Sequence, residues 1–188
     1  PADPCALALS CLWTQLADVA PFEPTIRRVV AALPEGGRLL GIGTLRPRDR
    51  DALRLFCALP RPSLRAWLRA IRWPGDVELA VAHSLDAHTP FERIFVQLEC
   101  EPAVGPYLGL EAPQTVQGFA SRSHRRAWLR ALTRQGLCCL TKAAALLDWP
   151  GSTPLPDGRV LHRSFHMKLA LREEQAQAKG YLGFAVLG

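Results

Sequence analysis

Apolar positions recur along this chain with two periods, one helical and one alternating. Leu9, Leu12, Trp13 and Leu16 fall at helical spacing and predict a first helix over 5–19. PFEP interrupts, Thr25 is a candidate cap for a second helix over 26–33, and PEGG ends it. RLLGIGTLRP reads as a glycine-softened strand, RPRDRD as a polar turn, and ALRLFCAL alternates as a strand does. Ser63 can cap the next helix. There Leu64, Trp67, Leu68 and Ile71 form one apolar stripe, with Arg65, Arg69 and Arg72 on the wet side. Trp73-Pro74-Gly75 stops it, because proline disfavours helical geometry at the preceding residue and glycine permits a sharp exit. VELAVAH and ERIFVQLEC read as the next two strands and YLGLE as a further short one.

The segment RAWLRAIRWPG at 65–75 nearly recurs as RAWLRALTRQG at 126–136, and DWPG follows at 148–151. The second copy begins at Ser121 or Ser123, with Trp128, Ala131 and Leu132 on its stripe, Arg126, Arg130 and Arg134 outside, and Gly136 as C-terminal cap. TKAAALLDW predicts a short extra helix, STPLPDG a loop, and HRSFHMKLAL with AKGYLGFAV a closing hairpin around REEQAQ. The prediction is an α+β fold in a single domain over 1–188, with repeat units at about 22–60, 61–111 and 119–188 after the N-terminal helix. Short strand connections favour one antiparallel sheet. The helices, with Trp67 and Trp128 in the core, cover one face, and the sheet can curl toward a partial barrel.

Length, at 188 residues, and composition, at 48% apolar and 21% charged, are those of a soluble globular protein. The net charge of +6 favours acidic partners only weakly, being spread along the chain. Arginines at helical spacing read as solvated faces, and no stacking or groove-reading motif predicts nucleic-acid binding. Six cysteines, at 5, 11, 57, 100, 138 and 139, lie in apolar segments without CxxC spacing. They read as reduced core residues of a cytoplasmic protein, the alternative being an exported protein whose signal has been removed. The opening CALALSCLW lacks a basic flank and is too short to span a bilayer, so no membrane partner is expected. His162 and His166, four residues apart on a strand, stand about 13 Å apart and cannot share one metal ion. His83 and His88 lack an HExxH context, and Cys138 with His124 has no local support as a nucleophile and base.

Alternation fixes what the uncovered sheet face carries. Leu53, Leu55, Cys57 and Leu59 share one face, as do Ile94, Val96, Leu98 and Cys100, and as do Phe165, Met167, Leu169 and Leu171, with Leu182, Phe184 and Val186 expected to join them. Opposite stand Arg54, Phe56, Arg93, Phe95, Gln97, Glu99, His166, Lys168, Lys179 and Tyr181, joined by Tyr107 and Glu111. Cations beside aromatic rings suit an anionic ligand with an unsaturated or cationic part.

Helices outside, antiparallel strands inside, repeated α-β-β order and a face of Lys, Arg and Tyr resemble the aromatic prenyltransferases of the ABBA type. AKGYLGF supplies Lys179 and Tyr181, similar to that family's Lys-x-Tyr pair, whereas HMKLAL has Lys168 with Ala170 in the aromatic position, and LRLF has Arg54 with Phe56. The resemblance implies a small transferase of natural-product or peptide modification. Arg54, Arg93, Lys168 and Lys179 would hold a diphosphate, with Phe56, Phe95 and His166 completing the ligand site. Tyr181 and Phe95 would shield a carbocation, and Glu99 would accept the acceptor's proton, making Glu99 and Tyr181 the catalytic candidates. No protein-held metal is implied, magnesium entering only with a diphosphate ligand. The alternative is a shortened, non-catalytic relative: an accessory or binding protein that holds a peptide or protein partner, on this face or on the arginine helices. A homodimer stays open.

Overall fold

The structure is a computed structural model that describes residues 20–45, 52–87, 91–112, 114–115, 118–119, 121–173 and 175–187. The helix expected over 5–19 lies outside the described residues. The first described helix, α1 (Glu23–Ala31), starts earlier than expected. Glu23 complements the helix dipole and a proline occupies the first turn, where its fixed φ fits and its missing N–H is no loss. Thr25 is therefore inside the helix, and its hydroxyl donates to the Pro102 carbonyl at 2.5 Å.

Strands β1 (Arg38–Thr44) and β2 (Leu53–Pro60) lead through a short 3-10 turn into α2 (Leu64–Ala70). The segment VELAVAH, expected as a strand, is instead helix α3 (Val77–Ala87). Val77, Ala80, Val81 and Ser84 fall at helical spacing as well as reading apolar, and Asp76 Oδ1 accepts the Leu79 N–H at 3.0 Å, capping the first turn. Strands β3 (Arg93–Cys100) and β4 (Val104–Glu111) follow, then a two-stranded ribbon, β5 (Gln114–Thr115) and β6 (Gly118–Phe119). Helix α4 (Arg122–Arg134) is capped by Ser121 Oγ, which accepts the His124 N–H at 3.4 Å. Helix α5 (Leu140–Asp148) precedes β7 (Gly151–Pro154), β8 (Val160–Arg172) and β9 (Gln175–Leu187). Part of the expected STPLPDG loop is thus a strand: β7 pairs with the first third of β8.

The two copies of RAWLRA end in the same way at different lengths. In α2, Trp73 N–H reaches Leu68 O and Arg72 N–H reaches Arg69 O, with Arg72 at φ 56°. In α4, Leu137 N–H reaches Leu132 O and Gly136 N–H reaches Thr133 O, with Gly136 at φ 71°. Both satisfy the last helical carbonyls through a left-handed residue. The first copy stops a turn sooner because Pro74 follows. Trp73 then folds over Gly75, leaving no room there for a Cβ.

Seven strands form one antiparallel sheet in the order β1-β2-β3-β4-β8, with β7 continuing beside β8 where β4 ends and β9 on the other edge of β8. The sheet is open: β1 and β9 each have a single neighbour among the described strands. On the helix-covered face, β2, β3, β4 and the second half of β8 contribute Leu55, Leu59, Ile94, Leu98, Leu108, Leu110 and Leu169, each fully buried. Trp67 and Trp128 close this core from α2 and α4, and Trp67 Nε1 donates to Val29 O of α1 at 3.4 Å. Leu182, Phe184 and Val186 share this face by register but are exposed, which corrects the expectation that they pack in the core. The helix cover reaches Ala176, Ala178 and Gly180, where Leu146 of α5 packs, and stops there. Cys57 and Cys100 are buried free thiols, and burial pushes both up to about 12. Cys138 and Cys139 are also free, on the loop before α5. Among the described residues, no helix is long and apolar enough to cross a membrane.

Trp67→Ala and Trp128→Ala each remove a large, fully enclosed ring and are expected to cost about 3–5 kcal/mol. Urea unfolding measures this, and unchanged midpoints in both variants would contradict a core role.

Candidate functional site

The uncovered face is built in rows, one residue per strand. Phe56, Gln97, Gly109, Ala170 and Gln177 stand side by side across β2, β3, β4, β8 and β9, and the next row runs Ala58, Phe95, Glu111, Lys168 and Lys179. Gly109 and Ala170 give the first row a low centre. A Cβ on Gly109 would lie 3.1 Å from the Tyr107 hydroxyl and 3.3 Å from Lys168 Cδ, so larger side chains on either side close over it. The β3–β4 register shifts after Leu98, opposite Gly105-Pro106. Pro106 has no N–H for the ladder, and a Cβ at Gly105 would approach Glu99 O at 3.1 Å. The bulge bends β4 beside Glu99.

Below the surface lies a buried polar network. Glu111 accepts from His166 Nε2 at 2.8 Å, from Lys168 Nζ at 3.1 Å and from Gln97 Nε2, while Lys168 also donates to Gln97 Oε1. Gln97, Glu111 and Lys168 are each buried. Burial alone would raise the Glu111 carboxyl, but His166 and Lys168 outweigh it and hold Glu111 below its ordinary 4.5. Burial lowers Lys168, with Arg54 and Lys179 acting the same way and Glu111 opposing them. A second pair lies alongside: Arg54 donates to Glu99 Oε1, and Arg172 stands 3.5 Å from Glu99 Oε2. The Arg54 guanidinium sits 5.0 Å from the Tyr107 ring centre, and Lys168 Nζ sits 5.9 Å from it on the same ring. Burial is the main reason the Tyr107 phenol is pushed up to about 12.

Above this network opens a cleft of about 320 Å³, lined among others by Arg54, Glu99, Tyr107, Lys168, Arg172 and Lys179. Of the expected site residues, Arg54, Glu99, Lys168, Lys179 and Tyr181 line it, and His166 lies one row away with its ring 5.6 Å from that of Tyr181. Phe56 and Phe95 stand on the same face outside the cleft. Arg93 does not join the other cations. It is six residues from Glu99 along β3, about 20 Å, and donates to Gly36 O in the turn before β1. Lys168 is not a free cation either, since it is the buried partner of Glu111. Arg172, Gln175 and Gln177 line the cleft without having been singled out. β8 runs on to Arg172 and β9 begins at Gln175, and their alternation places all three there.

The cleft thus gathers four cations, Arg54, Lys168, Arg172 and Lys179, against one carboxylate, Glu99. Glu99 is already engaged by Arg54 and Arg172, so these residues do not fit a resident magnesium ion, which needs free carboxylate oxygens. No cluster of three or more His, Cys, Asp or Glu suited to a metal occurs among the described residues. Compared with models of known families, with curated proteins and with solved structures, the chain matches none.

Two expectations follow. Lys168→Met should cost about 3–5 kcal/mol, as removing one partner of a buried ion pair does. Lys179→Met should change stability by no more than about 0.5 kcal/mol, as at ordinary surface positions. Equal effects in urea melts would contradict the burial of Lys168.

Glu111 is lowered in the folded state, so the stability it contributes is full above about 4.5 and is lost as pH falls through its lowered folded value. Glu111→Gln should flatten the acid limb of the stability profile. An acid limb of unchanged slope would place the titrating carboxylates elsewhere.

Proposed function

We propose that the protein binds a phosphate-bearing organic anion in the cleft on its open sheet face, in the manner of a small prenyltransferase-like protein that takes a diphosphate. The observation that carries this reading is the charge of the cleft, where Arg54, Lys168, Arg172 and Lys179 stand against one carboxylate, Glu99. An anionic oxygen entering the cleft would relieve the repulsion between Lys168 and Lys179, which stand directly opposite each other in the ladder. The exposed Arg172 and the half-buried Lys179 would make the outer contacts. Tyr181, which lines the cleft and is exposed, would stand beside the organic part, which supports a transferase whose allylic cation is shielded there.

In such a transfer the allylic C–O bond breaks, pyrophosphate leaves with the electron pair, and a new bond forms to a nucleophilic acceptor that gives up a proton. One observation favours the second reading, a non-catalytic accessory protein that holds its ligand. Glu99, the carboxylate nearest to the role of base, has both oxygens engaged by arginine. Anion binding is common to both readings, and proton acceptance separates them.

Calorimetric titration with pyrophosphate and dimethylallyl diphosphate should show binding below millimolar concentration. Arg172→Met with Lys179→Met, both outside the buried pair, should weaken it at least tenfold, about 1.4 kcal/mol. If neither ligand binds at millimolar concentration, the reading fails. Pyrophosphate release in the presence of an aromatic acceptor marks the transferase, and tight binding without release marks the accessory protein.

A further inference from the structure

On the helix side of the molecule, α4 and α5 enclose an apolar groove of about 500 Å³ that shares no lining residue with the cleft. Helix α5 is apolar on two sides. Leu146 packs at Gly180, and the Trp149 indole at its C-terminal end donates to Ser164 O at 2.9 Å, so one side is turned to the sheet. Leu140, Ala143, Ala144 and Leu147 fall at i, i+3, i+4 and i+7 and line the groove as a second stripe. Leu140 is 76% exposed, and no residue of α5 is buried. Helix α4 supplies the facing wall with Leu129 and Thr133, whose hydroxyl is taken up by Leu129 O at 2.9 Å.

The charges at this groove differ from those elsewhere on the helices. Arg65 and Arg69 pair with Glu78, Arg122 with Asp148 and Arg134 with Asp86. Arg126 and Arg130 are exposed along the groove, one turn apart, with no carboxylate in ion-pair range among the described residues. An apolar stripe flanked by unpaired arginines is complementary to an amphipathic helix with carboxylates beside its own stripe. A second copy of this chain fits poorly: with a net charge of +6, it would bring arginine stripes toward arginine stripes. A nucleic-acid backbone would meet the arginines but leave Leu140, Ala144 and Leu147 against phosphate.

We infer that the α4–α5 groove docks an acidic amphipathic helix of a partner protein, with its apolar side chains between Leu140 and Leu129 and its carboxylates on Arg126 and Arg130. This site is independent of anion binding in the cleft.

The test is selection of a displayed library of amphipathic helices about four turns long, with both faces randomised, against the whole chain. Enriched sequences should carry Asp or Glu beside an i, i+3, i+4, i+7 apolar stripe. In fluorescence anisotropy with an enriched peptide, Arg126→Glu with Arg130→Glu, and separately Leu140→Ser, should each weaken binding at least tenfold. Circular-dichroism melting should be unchanged, because all these side chains are exposed. Arg172→Met with Lys179→Met should leave peptide binding intact, which separates this site from the cleft. No enrichment, enrichment of basic or uncharged helices, or binding indifferent to both groove variants overturns the inference. A dimer in sedimentation that Leu140→Ser dissolves assigns the groove to a second copy and overturns it. So does binding of a single-stranded oligonucleotide that the charge reversals weaken and Leu140→Ser does not.

Discussion

The pairing of β4 with β8 joins the sheet's two parts, and it rests on few residues. The ladder runs only from Tyr107–Arg172 to Glu111–Lys168, five partnered positions. On the core side Leu108 and Leu110 meet Leu171 and Leu169; on the other side Glu111 meets Lys168. A slip of one residue would turn the leucines to solvent and the charged pair into the core. Apolar burial and ion pairing therefore demand the same register, and β9 follows because it is held along the whole of β8.

The same pairing explains how Lys168 can be buried. A lysine out of water is costly unless its charge is met and its donors are used. Glu111 meets the charge, Gln97 takes a donor, and His166 occupies the remaining Glu111 oxygen. An apolar replacement of the whole set would be tolerated energetically, whereas loss of one partner would leave a buried charge unmet. Lys179, opposite Lys168, has no such support and faces the cleft.

Much of this was legible in the chain because alternation in ALRLFCAL, RIFVQLEC and HMKLALR is regular, and regular alternation fixes both faces of a strand at once. What it does not fix is position along the strand. Arg93 and Glu99 share a face, yet they lie near opposite ends of β3, so residues sharing a face did not make one site. VELAVAH was illegible for a different reason. A short apolar run satisfies strand and helix spacing alike, and only the aspartate cap before it separates the two. β7 carries no alternation because all four of its residues are exposed, and it is a strand only by virtue of its partner. Leu182, Phe184 and Val186 obey the pattern without being buried, since the pattern names a face and says nothing of how far the helices extend over it.

The segment Lys179-Gly180-Tyr181 shows how far local sequence and tertiary packing constrain each other. Strand alternation sends Lys179 and Tyr181 to the cleft and Gly180 to the opposite face, under Leu146 of α5. Gly180 is exposed, and a Cβ there would rest 3.8 Å from Leu146 Cδ2, an ordinary contact, so alanine would fit without moving the helix. The neighbours Ala176 and Ala178 are small on the same face, and both pack against the core. On β8 the covered positions are large, Phe165, Met167, Leu169 and Leu171, whereas on the neighbouring edge strand they are Ala176, Ala178 and Gly180. A spacing of two is what any strand needs to present a cation and a ring on one face, so Lys-x-Tyr reports the strand geometry, whatever the two side chains bind.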